Sequence, residues 1–140
     1  MPQVLIAGLV VAHGLITTMI GFGGITRPEA PAMAVPAWIG WWPGPFGRSW
    51  LVDAMQLGSG ASMAGSALWL AAGLALLAAG LGLLGVPGLS GVWQPLALGG
   101  AAVGLIALAL FFHPFYLVAI LVNVAIVVLV SGALAPTRWS

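Results

Sequence analysis

Four stretches of the chain are apolar over the length of a membrane-spanning helix, and none of them contains an acidic or a basic residue. They cover about residues 3–21, 61–85, 92–112 and 114–134. A helix needs about 20 predominantly apolar residues to cross roughly 30 Å of hydrocarbon, because each residue advances it by about 1.5 Å. The pattern predicts an all-α polytopic membrane protein with four transmembrane helices.

The scarcity of charge excludes an ordinary soluble fold. Only 4% of the 140 residues are charged, whereas soluble domains contain about 25% charged residues. The length predicts one domain, residues 1–140. A net charge of +1 offers no basic surface to nucleic acid, and the absence of cysteine excludes disulfides and thiolate metal sites. We therefore expect the partners to be membrane lipid and other membrane protein subunits, not nucleic acid.

The connections between the four stretches predict an antiparallel bundle. Residues 86–91 form a short turn between the second and third stretches. Pro114 suits the first turn of the fourth helix and disfavours helix at His113 before it. Short connections of this kind join antiparallel neighbours. The first connection, about residues 22–60, is long and contains four of the five charged residues.

Tryptophan is concentrated in this first connection. Residues 36–50 contain four of the seven tryptophans and three prolines, which prevent one continuous helix. Tryptophan suits the membrane interface, because its ring is apolar while its N–H requires a polar partner. Residues 47–58 are typical of a short amphipathic helix in the headgroup region. We predict an interfacial loop that contacts lipid or a partner through Trp38, Trp41, Trp42, Arg48 and Trp50.

Small residues predict how the helices pack. Lipid tails are as apolar as leucine, so membrane helices associate by close packing and polar contacts. Small residues recur every seven positions in the second stretch and four apart in the first and third, whereas the fourth stretch is bulky and is predicted to face lipid or a partner. The predicted packing faces contain Gly8, Ala12 and Gly14 in the first stretch, Ser66, Gly73 and Gly80 in the second, and Gly100 and Gly104 in the third.

Three polar residues lie near the middle of the first and fourth stretches. A polar side chain at this depth is costly and tends to face the protein interior. His13 lies close to the centre of the first stretch and is therefore expected to face the interior. Thr17 is four residues later and shares its helix face. Asn123 falls at a similar depth if the two helices are antiparallel. We predict a buried polar patch of these three residues.

The patch has one structural and three functional interpretations. Hydrogen bonding between helices is favoured, because a single histidine with no acidic partner is a poor proton path. The alternatives are a ligand to haem or chlorophyll magnesium, a proton relay, or a donor to a quinone carbonyl. The second histidine, His113, is surrounded by aromatic residues that predict an interfacial belt rather than a metal site. These are Phe111, Phe112, Phe115 and Tyr116.

No catalytic or metal-binding constellation is evident in the sequence. The only carboxylates, Glu29 and Asp53, are 24 residues apart in the long connection, with no histidine nearby. No serine has a visible base. We expect no catalytic residue, no metal and no resident cofactor, with pigment or quinone contact at the polar patch as the alternative.

The layout resembles small bacterial four-helix membrane proteins of the DoxX-like kind and related uncharacterised four-span families. The resemblance is carried by the four spans, the long first connection, the pair His13-Gly14 and the sequence GRSWL at residues 47–51. It implies a four-span architecture in a bacterial inner membrane. It assigns no active site, and the thiol-linked roles of some DoxX relatives require cysteine, which this chain lacks.

The side of the membrane is predicted from the loops. Four spans place both termini on one side, where Arg138 is the only basic residue, against Arg27 and Arg48 on the other side. A loop rich in tryptophan and proline is typical of an outer face. We expect cytoplasmic termini.

These features predict a non-catalytic accessory subunit of a larger membrane assembly, respiratory or photosynthetic, that packs through small-residue faces and the tryptophan-rich loop. The alternative is a small carrier or binding protein for a quinone, a pigment or a lipid, anchored at His13. An integral-membrane enzyme has the least support.

Overall fold

The computed structural model describes residues 2–26, 59–112 and 116–133. These residues form four helices: α1 (Pro2–Thr26), α2 (Ser59–Leu83), α3 (Trp93–Leu110) and α4 (Leu117–Ala133). The prediction of an all-helical chain with four apolar helices is confirmed for this part of the chain. The predicted loop contacts at Trp38, Trp41, Trp42, Arg48 and Trp50 lie outside the described residues, as does His113.

Three of the four helices are long and apolar enough to cross a membrane. They are Gln3–Thr26, Gly60–Leu83 and Trp93–Leu110. The apolar part of α4 is shorter, Leu117–Gly132. Three such helices in one chain indicate association with a membrane.

The first helix is longer than the sequence pattern predicts, because it continues past Gly21 to Thr26. The Thr26 hydroxyl donates to the carbonyl of Phe22 at 2.9 Å, which satisfies that oxygen within the last turn. The sequence pattern predicts the boundary at Gly21, but this glycine is buried inside the helix.

Glycines of α1 lie directly against the backbone of α2. A Cβ atom on Gly14 would stand 2.5 Å from the nitrogen of Leu77, and a Cβ on Gly21 would stand 2.7 Å from the Cα of Leu70. Real Cβ atoms do not approach other atoms this closely. Only glycine therefore allows the two helices to come this near at these positions.

The second helix contributes glycines in the same manner. A Cβ on Gly73 would stand 2.8 Å from the Cα of Thr18, and one on Gly80 would stand 2.9 Å from the nitrogen of Val11. Residue numbers rise along α1 as they fall along α2, so the two helices run in opposite directions. Each helix places its contact glycines seven residues apart, which keeps them on one seam between the two helices.

The packing face predicted for the first helix is wrong in part. Gly8 and Ala12 are both exposed, and a Cβ on Gly8 would meet no described atom within 4 Å. The third predicted residue, Gly14, does pack on α2, and it shares its face with Ala7 and Gly21, whose spacing matches that of the glycines on α2.

A tight turn reverses the chain between α2 and α3. Gly85 has φ 86°, in the left-handed region, directly after the helix. The N–H of Val86 donates to the carbonyl of Leu81 at 3.1 Å, and the N–H of Gly85 donates to that of Gly82 at 3.0 Å. This is the Schellman arrangement, which satisfies carbonyls at a helix end. The Gln3 side chain adds a hydrogen bond to the carbonyl of Leu83 at 3.1 Å, which ties α1 to this end of α2.

The third and fourth helices complete the core. A Cβ on Gly100 of α3 would stand 3.1 Å from the carbonyl oxygen of Ala72, so α3 lies close to α2 there. Consecutive helices make the extensive contacts, and α4 packs mainly on α3. One core cluster contains residues from all four helices, namely Val10, Leu76, Ala79, Ala97, Ala101, Ile126 and Val130.

Candidate functional site

Asn123 is enclosed between α4 and α3. Asn123 is 3% exposed. Its amide lies over Gly104, where an added Cβ would stand 3.1 Å from Asn123 Oδ1. The amide Nδ2 donates to the carbonyl of Ala119 on its own helix at 2.8 Å. The lack of a side chain at Gly104 therefore makes the space that the Asn123 amide fills.

His13 reaches Asn123 from α1. The imidazole is partly buried, and its side chain is within hydrogen-bonding reach of Asn123. His13 Nε2 and Asn123 Oδ1 are both enclosed, yet within the described residues neither completes a bond of regular geometry. The amide oxygen only accepts, so the two atoms are complementary when Nε2 carries the proton.

Thr17 shares the helix face of His13, but its hydroxyl bonds to the backbone of α1. It is 3% exposed, and its Oγ1 donates to the backbone carbonyl of His13 at 2.7 Å. This bond from residue i to the carbonyl of residue i−4 is a usual choice for a threonine inside a helix. The structure thus brings His13 and Asn123 together, while the Thr17 hydroxyl bonds to the backbone of its own helix.

An aromatic cluster lies at the end of the bundle where α1 and α3 finish. The rings of Trp69 and Tyr116 are 5.1 Å apart between centroids and tilted by 50°. Trp69 is 2% exposed and Tyr116 is 4% exposed. The sequence reasoning did not single out Trp69. The small residues Gly65 and Ser66, which are close to Trp69 in the sequence, are the feature that could have predicted this cluster, because they leave room for large rings beside α2.

The predicted aromatic belt is wrong for two of its residues. Phe111 is buried against Gly65, where a Cβ would stand 2.5 Å from the phenyl ring, and Tyr116 is buried against Trp69. Aromatic residues near a helix end can face either the interface or the bundle. Here the small residues of α2 give these two rings space inside.

An apolar groove runs between α3 and α4. It encloses about 440 Å³ and is lined by Leu105, Leu108, Ala109, Phe112 and Ile120. With only apolar side chains in its lining, it offers dispersion contacts to hydrocarbon and no group that would orient a polar molecule.

Within the three described ranges, no cluster of three histidine, aspartate or glutamate side chains could hold a metal ion. Glu29 and Asp53 lie outside those ranges. Comparison of the chain with protein-family models, with curated proteins and with solved structures gave no match. The fold itself defines a small helical protein whose long helices suit a membrane, and the resemblance to DoxX-like proteins stays a prediction.

Proposed function

We propose that the chain is a four-span antiparallel membrane bundle that serves as a non-catalytic accessory subunit of a larger membrane assembly. The observation that supports this role is an exposed face of small residues on α2. Its members recur three or four positions apart and so share one side of the helix. They are Gly60, Ala64, Ala67 and Ala71, all exposed.

This face of α2 is additional to the faces that hold the bundle together. Gly73 and Gly80 already pack on α1, and Ala72 lies against α3. In a bilayer, small residues allow another helix to approach closely, whereas an isolated lipid-facing surface gains nothing from them. The exposed face is therefore typical of a surface that receives a helix of a partner subunit.

The outer face of α4 has the opposite character. Four of its large aliphatic side chains are 63–70% exposed, namely Val118, Leu121, Val128 and Leu129. Bulky aliphatic residues are suited to lipid tails. We infer that α4 is the lipid-facing fourth span, although its 17 residues reach only about 25 Å, which a locally thinner bilayer or flanking residues accommodate.

The remaining expectations are part of the same proposal. The tryptophan-rich connection would extend the partner contact at the membrane surface through Trp38, Trp41, Trp42, Arg48 and Trp50. The membrane is taken to be a bacterial inner membrane, with cytoplasmic termini, and the assembly to be respiratory or photosynthetic.

Site-directed cross-linking tests the role directly. The chain contains no cysteine, so Ala67→Cys introduces a unique attachment point for a photoreactive maleimide. The matched control is Leu121→Cys on the outer face of α4, which is 68% exposed. After irradiation in native membranes, we expect Ala67→Cys to give a discrete adduct with another protein, identified by mass spectrometry, and Leu121→Cys to give none.

A second variant supports the assignment. Ala67→Phe should release that same protein during affinity purification, while Leu121→Phe should retain it. The role is contradicted if Ala67→Cys cross-links only to residues 27–58 of its own chain, only to a second copy, or only to lipid. It is also contradicted if Ala67→Phe leaves the co-purified protein unchanged.

A further inference from the structure

The apolar groove between α3 and α4 has a buried floor and two walls. Its floor contains Leu108, which is 1% exposed. One wall consists of Leu105, Ala109 and Phe112 at the end of α3, and the other of Ile120 on α4. Ala109 is itself exposed, so the groove opens on the outer surface of the bundle.

The groove follows from how the start of α4 packs. At Gly104 the two helices touch closely, because the Asn123 amide fills the space of the missing side chain. Further along, the large side chain at the start of α4, Tyr116, packs on Trp69 of α2 instead of on α3. The small Ala109 side chain does not fill the gap that remains.

The groove lies at the depth of hydrocarbon. The helix α3 is long and apolar enough to cross a membrane, and its 18 residues extend about 27 Å. Its groove residues belong to its last two turns, with Phe112 directly after them. The α4 surface beside Ile120 is aliphatic and exposed, since Leu117 is 53% and Leu121 is 68% exposed. What enters the groove therefore comes from the hydrocarbon of the bilayer half in which α3 ends.

The lining and the size of the groove select the occupant. Every lining side chain is apolar, so a polar group held there would stay without a partner, which is costly in a membrane. A helix segment 10 Å long and about 10 Å wide occupies roughly 800 Å³, whereas the groove encloses about 440 Å³. A flexible hydrocarbon chain can enter it, and an empty groove would forfeit dispersion contacts along its walls.

We propose that this groove binds one acyl chain of a bilayer phospholipid as a resident ligand. The chain lies along the last two turns of α3, covers Leu108 and completes the packing between α3 and Ile120 of α4. This site goes beyond the accessory role and shares with it only the condition that the bundle spans a membrane.

Photolabelling from the lipid distinguishes a resident chain from ordinary surrounding lipid. The probe is a phosphatidylcholine with a diazirine near the middle of one acyl chain, mixed into nanodiscs that contain the full chain. Passing lipid labels side chains in order of their exposure. A resident chain should reverse this order, so that the half-buried Ile120 is labelled more strongly than Leu121, its neighbour that is 68% exposed.

Filling the groove should remove this excess labelling. Ala109→Phe places a ring in the groove from an exposed position, so it does not overpack the core. The matched control is Ala102→Phe, seven residues earlier on α3, which is also exposed and does not line the groove. Labelling of Ile120 should fall below that of Leu121 in Ala109→Phe and stay above it in Ala102→Phe. Ala109→Leu is the smaller second variant if the phenylalanine prevents folding, and the parent measurement needs no substitution.

A cross-linker at the groove identifies any other occupant. The chain contains no cysteine, so Ala109→Cys takes a single photoreactive maleimide, which should form a lipid adduct in native membranes. The proposal is overturned by a protein adduct instead, whether with residues 27–58 of the same chain, a second copy or another subunit. It is also overturned if labelling in the parent follows exposure, or if Ala109→Phe keeps the excess at Ile120. The cross-link expected at Ala67 concerns α2, so the two proposals fail separately.

Discussion

Gly14 of α1 lies directly against the backbone of Leu77 of α2, with so little room that a Cβ atom would stand 2.5 Å from the nitrogen and 2.9 Å from the Cα of Leu77. Both of these atoms belong to a helix backbone, so neither can turn aside as a side chain would. At this point of the seam, the closeness of α1 and α2 therefore depends on the absence of a Cβ atom at residue 14.

Gly14→Ala should destabilise the bundle for this reason. Forcing an added carbon into a packed interface costs about 1–3 kcal/mol. The matched control is Gly8→Ala on the same helix, where the new carbon meets no described atom within 4 Å. The control should be as stable as the parent or more so by up to about 1 kcal/mol, because alanine favours helix over glycine. Unfolding midpoints in SDS–detergent mixed micelles compare the two, and equal midpoints would contradict the seam.

Gly104→Ala should have a smaller effect, centred on Asn123. The new carbon would stand 3.1 Å from Oδ1 and 3.3 Å from Nδ2 of that amide, so the side chain must move by a few tenths of an ångström. We expect a loss of about 1 kcal/mol, at the low end for overpacking. Gly99→Ala is the control, because a Cβ there stands in open space. A ¹⁵N shift of His13 Nε2 in Gly104→Ala alone would show that the displacement reaches the pair.

The helices of this fold are predictable from the sequence, because apolar stretches without charge have few other structures available in a membrane. The seven-residue spacing of Gly73 and Gly80 likewise indicates a face of α2 that the structure packs on α1. The face of α1 is harder to predict. Gly8 and Ala12 have the usual four-residue spacing but are exposed, and Gly14 is the one predicted residue that belongs to the packed repeat of Ala7, Gly14 and Gly21.

Side-chain choices are less predictable than helices. The shared depth of His13 and Asn123 follows from the order of the helices, but the sequence does not tell whether the Thr17 hydroxyl bonds to another side chain or to the carbonyl of residue i−4. Local geometry favours the carbonyl. Phe111 and Tyr116 show the same difficulty, since composition alone does not distinguish an interfacial ring from one that fills space beside Gly65 and Trp69.

Gly85→Ala should weaken the turn between α2 and α3. At φ 86° an alanine suffers a contact between its Cβ and the following carbonyl, which costs about 1–2 kcal/mol. Gly91 lies in the same connection without a left-handed φ, and a Cβ on it would meet no described atom within 4 Å. Gly91→Ala should therefore be nearly neutral. The difference in unfolding midpoint between the two variants measures the cost of the left-handed residue, and a neutral Gly85→Ala would contradict the turn geometry.

The contact between Trp69 and Tyr116 should contribute a measurable coupling energy between α2 and the start of α4. Tilted aromatic pairs at this separation are worth about 0.5–1.5 kcal/mol beyond the area they bury. A double-mutant cycle of Trp69→Leu and Tyr116→Leu isolates that part, because each leucine retains apolar bulk while removing the ring. The free energy of unfolding in mixed micelles is the quantity to compare across the four proteins.

A second cycle provides the control for this coupling. It pairs Trp69→Leu with Leu121→Ala, a change on the outer face of α4 where the side chain is 68% exposed. These two sites share no described ring or hydrogen-bond contact, so their effects should add within about 0.5 kcal/mol. If the Trp69–Tyr116 cycle is equally additive, the two rings fill space independently, and their contact contributes no coupling energy between α2 and the start of α4.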